Sequence, residues 1–314
     1  VTSLNTLARD QERVVSRDQA LAELTPDALK WRLRSQRWRQ VHREVYCVDA
    51  GPLTPLGTAW AALLACGPAS ALSHRTAAWL WGLVDEPPEA VSVRVPAERR
   101  VPRLDGVRAY RSRRMDDLVH PSASPRRIRL EHTVLDLVDT SRDLAAALAV
   151  VAASVQRRLT TPARLRAAVA QRPSFRWRPH VLAVLADVAE GAHSLLEVRY
   201  LRNVERRHGL PEARRQHPTK GAGGRRYRDV EYDEFGLVVE LDGQVGHTEP
   251  DDRRRDRKRD NAVVVSTRSR LRYDYVDVTF EPCDVAVEVA AVLGSRGWTG
   301  TPRPCGKLCA FWRL

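Results

Sequence analysis

Tyr227–His247, YRDVEYDEFGLVVELDGQVGH, is the stretch from which the fold of the C-terminal half is read. Tyr227–Tyr232 and Gly236–Asp242 read as adjacent strands joined by a tight turn at Asp233–Gly236. The second, Leu237-Val-Val-Glu-Leu-Asp242, is mostly apolar, which is the composition of a buried central strand. It nevertheless ends in two carboxylates two residues apart, Glu240 and Asp242, and the neighbouring strand contributes Asp229. Carboxylates at the ends of neighbouring core strands cost folding energy unless something cationic sits among them. A divalent metal is the usual answer, and hard oxygen ligands suit Mg²⁺ or Mn²⁺.

Outward from this pair, Ser194 is placed to cap a helix running to Arg207, with Glu197 in its first turn, and Gly209-Leu-Pro211 stops it. Ala213–His217 reads as an edge strand and Thr219–Gly224 as a basic loop. On the far side, Asp242-Gly-Gln-Val-Gly-His247 leads into a charged segment, Pro250–Asn261, that reads as a helix. Leu271–Tyr275 then reads as a last strand and Pro282–Leu293 as a last helix. The order α-β-β-β-α-β-α predicts helices packed on a central mixed sheet.

Glu197 in Ser194-Leu-Leu-Glu, Asp229 in Arg228-Asp-Val, Glu240-Leu-Asp-Gly and then His247 occur in an order that resembles the PD-(D/E)xK nuclease superfamily. The resemblance is closest to the branch called domain of unknown function 559, a relative of very-short-patch-repair endonucleases. It implies a restriction-endonuclease-like core in which Asp229 and Glu240 hold Mg²⁺ or Mn²⁺, and the metal activates a water against a phosphodiester. Glu197 would position that water or a second metal, and His247 would act as general base or as acid at the leaving oxygen. Asp242 stands where the family has its lysine. It is either an added metal ligand or a brace for the turn. Repair-type relatives also lack the lysine and use nearby histidines, which makes His247 the substitute.

At the other end, Ser16 caps a helix over Arg17–Glu23, and Thr25-Pro26 opens a second one to about Ser35. Arg39–Val48 alternates as two short strands around His42-Arg43-Glu44. Helix, helix, hairpin is the order of a winged helix-turn-helix. Lys30, Arg32, Arg34, Arg37, Arg39 and Arg43 fall on its second helix and wing with no acidic residue before Glu44, and Trp31 and Trp38 lie between them. Such cations would neutralise phosphates, and a few would reach base edges. The blander alternative is a solvated amphipathic helix with its tryptophans in the core. Pro55–Cys66 and Ser73–Gly82 read as helices. With Leu72-Ser-His-Arg-Thr-Ala-Ala-Trp, residues from about 5 to 140 resemble the N-terminal region of AbiEi-family antitoxins of type IV toxin–antitoxin systems. That resemblance implies operator binding by the winged helix and a cognate toxin as partner. His74, at a helix start with no companion in sequence, reads as structural.

Between the two ends, Ala90–Pro96 and Gly106–Ser112 alternate and read as paired strands. Glu131–Thr140, Asp143–Leu159 and the segment from Thr161-Pro162 to Gln171 read as helices. The fold class expected is α+β, an N-terminal winged helix-turn-helix with a mixed connector followed by the restriction-endonuclease-like α/β core. The partition is 1–82, 83–175, 180–297 and a tail at 298–314, with the main boundary at Arg172–Pro179.

Composition bounds the partners. The 314 residues carry 52 Lys plus Arg against 39 acidic groups, a formal charge of +13, which favours a polyanion, DNA first. Arginine far outnumbers lysine, as GC-rich coding also dictates, so charge is the weaker pointer. Arg254 and Arg255 in the 250–261 segment either track phosphates or pair with Asp252 and Asp256 one helical turn apart. No apolar run approaches the ~18 residues of a membrane span, and the first residues lack the apolar centre of a secretory signal. Five cysteines, scattered in a chain this long, indicate a reducing cytoplasm rather than a disulfide framework. Cys305-Gly-Lys-Leu-Cys309 resembles half of a zinc knuckle, but a closed zinc site takes four ligands, and Cys283 alone is near in sequence. Ordinary free thiols are expected there. The expected activity is metal-dependent DNA cleavage or nicking targeted by the N-terminal module. Its rival is a non-catalytic DNA-binding regulator or AbiEi-type antitoxin with a degenerate nuclease fold, which the missing lysine favours.

Overall fold

The structure, a computed structural model, describes residues 3–190, 195–215, 227–242 and 269–313, with backbone alone at 188–190, 195, 215, 227–229 and 242. It is mixed α/β with small sheets. The chain divides into two compact units, 1–140 with 153–176, and 141–152 with 177–314.

The first unit opens with α1 (Leu4–Asp10), β1 (Val14–Ser16), α2 (Arg17–Leu21), α3 (Pro26–Arg34), β2 (Arg39–His42) and β3 (Val45–Cys47). Their starts are encoded locally. Ser16 and Gln19 form a reciprocal capping box on α2, and the Thr25 hydroxyl accepts from Ala28 N–H with Pro26 at the first helical position of α3. The strands form an antiparallel sheet in the order β1-β3-β2. Helices and sheet share a core of Leu4, Ala8, Val15, Ala20, Leu29, Trp38 and Tyr46.

There follow α4 (Pro55–Cys66), β4 (Ala71–Leu72), α5 (His74–Leu80), β5 (Val91–Pro96), β6 (Val107–Ser112), α6 (Met115–Leu118), α7 (Leu130–Thr140), α8 (Leu144–Gln156) and α9 (Pro162–Gln171). The expected pair of strands is present, and β5 and β6 run parallel, with β4 antiparallel on the other side of β5. Ala59, Ala62, Leu63 and Cys66 of α4 pack against Val91, Val93 and Val95 of β5.

The second unit contains α10 (Arg178–Glu190), then α11 (Leu195–Arg199), which continues as a π-helical turn over Tyr200–Arg206. Its sheet is β7 (Arg214–Arg215), β8 (Tyr227–Tyr232), β9 (Leu237–Asp242) and β10 (Ser269–Asp274), in the order β10-β9-β8-β7. The first three strands are antiparallel and β10 lies parallel to β9, so the sheet is mixed. A 3₁₀ turn at Asp233–Phe235 joins β8 to β9 and closes at Gly236 with φ 58°, a conformation that carries a Cβ penalty for other residues. Helices α12 (Tyr275–Phe280) and α13 (Pro282–Ser295) complete it.

Two of these helices were not anticipated. Pro179 reads as a breaker, yet it lies in the first turn of α10, where its missing N–H costs nothing. Tyr275-Val-Asp-Val-Thr-Phe has the composition of a strand, but the Asp274 carboxylate accepts from Val276 and Asp277 N–H and starts α12 there. Among the described residues no helix is long and apolar enough to cross a membrane.

Candidate functional site

The second unit's sheet has two chemically distinct sets of alternate positions. Val230, Tyr232, Leu237, Val239, Leu241, Leu271 and Tyr273 are all buried and form one set. The other carries charge on every strand: Arg214, Glu231, Glu240, Arg270, Arg272 and Asp274. Strand β9 therefore alternates; its apolar look in sequence comes from Val238, which sits among the charges and is half-buried. The register sets Asp229 opposite Glu240, and Glu240 opposite Arg272 on the far side.

Glu240 is the best-defined group of the set, with only 5 % of the residue exposed. Its Oε1 accepts from Arg270 at 2.7 Å, and its Oε2 from Arg272 Nη2 at 2.8 Å and Nε at 3.0 Å. Two guanidinium groups thus supply the cation that a buried carboxylate requires. A carboxylate has about four lone-pair sites, so a further cation on Glu240 remains compatible with these contacts. A similar pairing repeats one strand over. Arg214 of the edge strand binds the buried Glu231 at 2.7 Å and Asp233 at 2.9 Å.

The remaining sequence candidates fall variously. Asp229 and Asp242 hold their register positions on β8 and β9, opposite Glu240 and Tyr227 respectively, and their side chains lie outside the described residues. His247, Arg254 and Arg255 lie outside them too. Glu197 sits half-buried on α11, as expected, one turn before Tyr200. That helix is fastened to the sheet through Tyr200 Oη and Tyr232 Oη, 3.1 Å apart and buried. Arg199, also on α11, donates to the buried Asp187 of α10 at 2.7 Å, and Tyr275 of α12 donates to the same carboxylate.

In the first unit, the basic residues of α3 and its hairpin are not equivalent. Lys30, Arg34, Arg37 and Arg43 are exposed, whereas Arg39 donates to the Gly51 carbonyl at 2.8 Å. Arg32 lies over the Trp38 ring and Arg37 over Trp31, 5.0 and 4.8 Å from the centroids. Trp38 is in the core, but Trp31 is 54 % exposed, a flat apolar surface bracketed by cations.

His74 has companions that its sequence position hides. It is buried, stacked on Tyr110 at 3.8 Å between ring centroids, with Nδ1 3.0 Å from Ser73 Oγ and 4.0 Å from Asp136 Oδ2. Asp136 accepts from Arg94 at 2.6 Å and Arg172 at 2.8 Å. Burial pushes the His74 pKa down to about 4, against the pull of Asp136. The arrangement ties α5, β5 and α7 to Arg172 and gives His74 a structural task.

A different set of residues assembles metal-binding chemistry. His208, Cys283, Cys305 and Cys309 each bring one ligand atom to a spot where all four atoms lie within 4.8 Å of one another. The donors are soft, unlike the hard oxygens expected for Mg²⁺. Cys305 and Cys309 were visible in sequence as a knuckle fragment. His208 was not, because it stands nearly a hundred residues upstream with no second ligand beside it.

No family model matches the chain, and no curated protein matches it either. Among solved structures, it is similar to the crystal structure of the Rv2827c protein from Mycobacterium tuberculosis. The identity is 18 %, the match covers 59 % of this chain and 76 % of that one, and the TM-score is 0.38.

Proposed function

We propose that this protein is a metal-dependent DNA endonuclease whose N-terminal module binds the duplex. The observation that carries the proposal is the buried Glu240 in register with Asp229, with Asp242 two positions on, at the end of a central strand in a mixed sheet. Asp229 and Glu240 would hold Mg²⁺ or Mn²⁺, with Asp242 as a third oxygen donor. Such a metal polarises a phosphate oxygen and lowers the pKa of water. Arg272, fixed on Glu240 by strand register, would help to balance the charge of a bound phosphate. Glu197 and His247 keep the roles of positioning water and moving its proton.

The order α-β-α-α-β-β with its β1-β3-β2 sheet supports a winged-helix reading of the first module. Its α3 would meet the major groove with Lys30 and Arg34, Arg37 would reach phosphate from the turn after the helix, and Arg43 would follow the wing along the backbone. Trp31 would add a face against sugar or base.

One observation favours a second reading. Glu240 is already neutralised by Arg270 and Arg272, so the fold stands without a metal there, as a DNA-binding regulator or AbiEi-type antitoxin with a cognate toxin would require. Supercoiled plasmid incubated with the protein and Mg²⁺ or Mn²⁺ separates the two. Nicking that disappears in Asp229→Ala supports the endonuclease. Retarded but intact plasmid with both metals supports the regulator.

A further inference from the structure

We propose that His208, Cys283, Cys305 and Cys309 form a structural zinc site that fastens the C-terminal tail to the second unit. The donor set is complete: three thiols and an imidazole, which is a closed tetrahedral complement with no position left for water or substrate. Their spacing suits the ion. A tetrahedron with Zn–S near 2.3 Å has sulfur–sulfur edges of about 3.8 Å. Cys283 Sγ and Cys305 Sγ stand 3.3 Å apart, and no pair among the four ligand atoms exceeds 4.8 Å.

Three further features point to a ligand at this place. His208 is fully buried, and its Nε2 has no hydrogen-bond partner among the described residues, a costly state for an imidazole nitrogen that a metal would relieve. The ring is oriented by a backbone carbonyl, with Nδ1 3.0 Å from Arg303 O, the kind of outer contact that fixes a ligating histidine. The loop between the two tail cysteines is a tight turn, closed by Cys309 N–H donating to Gly306 O at 3.1 Å and by Trp312 Nε1 donating to the same carbonyl at 3.0 Å. That turn brings both thiols of Cys-x₃-Cys to one side.

The site joins three separate parts of the chain. His208 follows the π-helical turn of α11, Cys283 is in the first turn of α13, and the other two thiols are in the tail. The tail is registered on His208 by backbone as well, Arg303 N–H donating to His208 O at 2.7 Å. Gly209, at φ 68°, leaves room for the Arg303 guanidinium, whose Nε a Cβ would meet at 2.7 Å. Zinc here would pin the end of the helix carrying Glu197 to α13, independently of whether the carboxylates of the sheet act on DNA.

The full chain, without an affinity tag and purified under reducing conditions, is assayed for metal by mass spectrometry. It is then stripped and reloaded with Co²⁺. The expected result is one zinc per chain, the intense visible bands of tetrahedral thiolate-bound Co²⁺, and a lower melting temperature after stripping. Cys305→Ser and His208→Asn should each weaken retention of the metal at least 10-fold. A metal-free wild-type protein that takes up no Co²⁺ would overturn the proposal, as would an octahedral cobalt spectrum. So would a Cys283–Cys305 disulfide, read as the loss of two hydrogens from the intact mass. Should either variant not fold, the wild-type metal content and cobalt spectrum decide alone.

Discussion

His74 shows how a single residue acquires a measurable consequence from burial. Its ordinary pKa is near 6.5, and the folded value is about 4, so the unfolded chain binds the proton more tightly. The stabilisation from keeping His74 neutral is complete above pH ~6.5, falls as pH drops from 6.5 to 4, and is gone below, amounting to about 3 kcal/mol. Denaturant midpoints measured across that range should drop towards acid in the native protein and drop less in His74→Gln. Burial pushes His132 and His208 the same way, so the difference between the two proteins, not the native slope, isolates His74. Asp136 is the other end of this contact. Asp136→Asn leaves the half-buried Arg94 without its carboxylate and Arg172 with Asp139 alone, and should cost about 3 kcal/mol by equilibrium unfolding. Neither partnership was legible in sequence, since Arg94, Asp136 and Arg172 meet His74 only through tertiary packing. Asp229 and Glu240 were legible, because strand alternation and a short turn fix their register locally. Arg270 and Arg272 were not. A parallel strand can come from anywhere downstream, and its register cannot be counted through a turn.

At the scale of elements, those whose ends are written in neighbouring side chains were read to within a residue or two. Thr25-Pro26 before α3, Thr54-Pro55 before α4 and Thr161-Pro162 before α9 each place a capping hydroxyl ahead of a proline. Ser16→Ala should accordingly lower stability by about 1 kcal/mol, read from the denaturant midpoint. Elements that tertiary contacts decide were missed: α10 begins with no capping signal, and α12 has β-branched residues held helical by Asp274 and by burial of Tyr275, Val276 and Val278. Element α3 carries the prediction that bears on binding. Replacing Lys30, Arg34 and Arg37 with glutamine removes three exposed cations from the helix and the turn that follows it. If those cations meet phosphates, the slope of log K against log salt should fall by about 3, at roughly 0.9 per contact. An unchanged slope in a filter-binding series would place the DNA contact elsewhere.

The whole molecule combines two compact units with different electrostatic designs. In the first, exposed arginines surround an apolar core on α3 and its hairpin, which suits recognition of a polyanion. In the second, a sheet sets a buried, mainly apolar series of positions against a charged series in which Glu240 is buried. Sequence revealed the carboxylates and the basic helix because each is a local pattern. It could not reveal the cations that neutralise Glu240 or the gathering of His208 with three thiols, because both arise from strands and helices distant along the chain. The central claim is that Glu240 serves a metal as well as its arginines. The most direct test is the rate of plasmid nicking as a function of Mg²⁺ concentration, for the native protein and for Glu240→Gln at equal folded content. The account predicts saturable, Mg²⁺-dependent nicking in the native protein and a loss of roughly 100-fold or more in the variant. The same Mg²⁺-dependent rate in both proteins would contradict it.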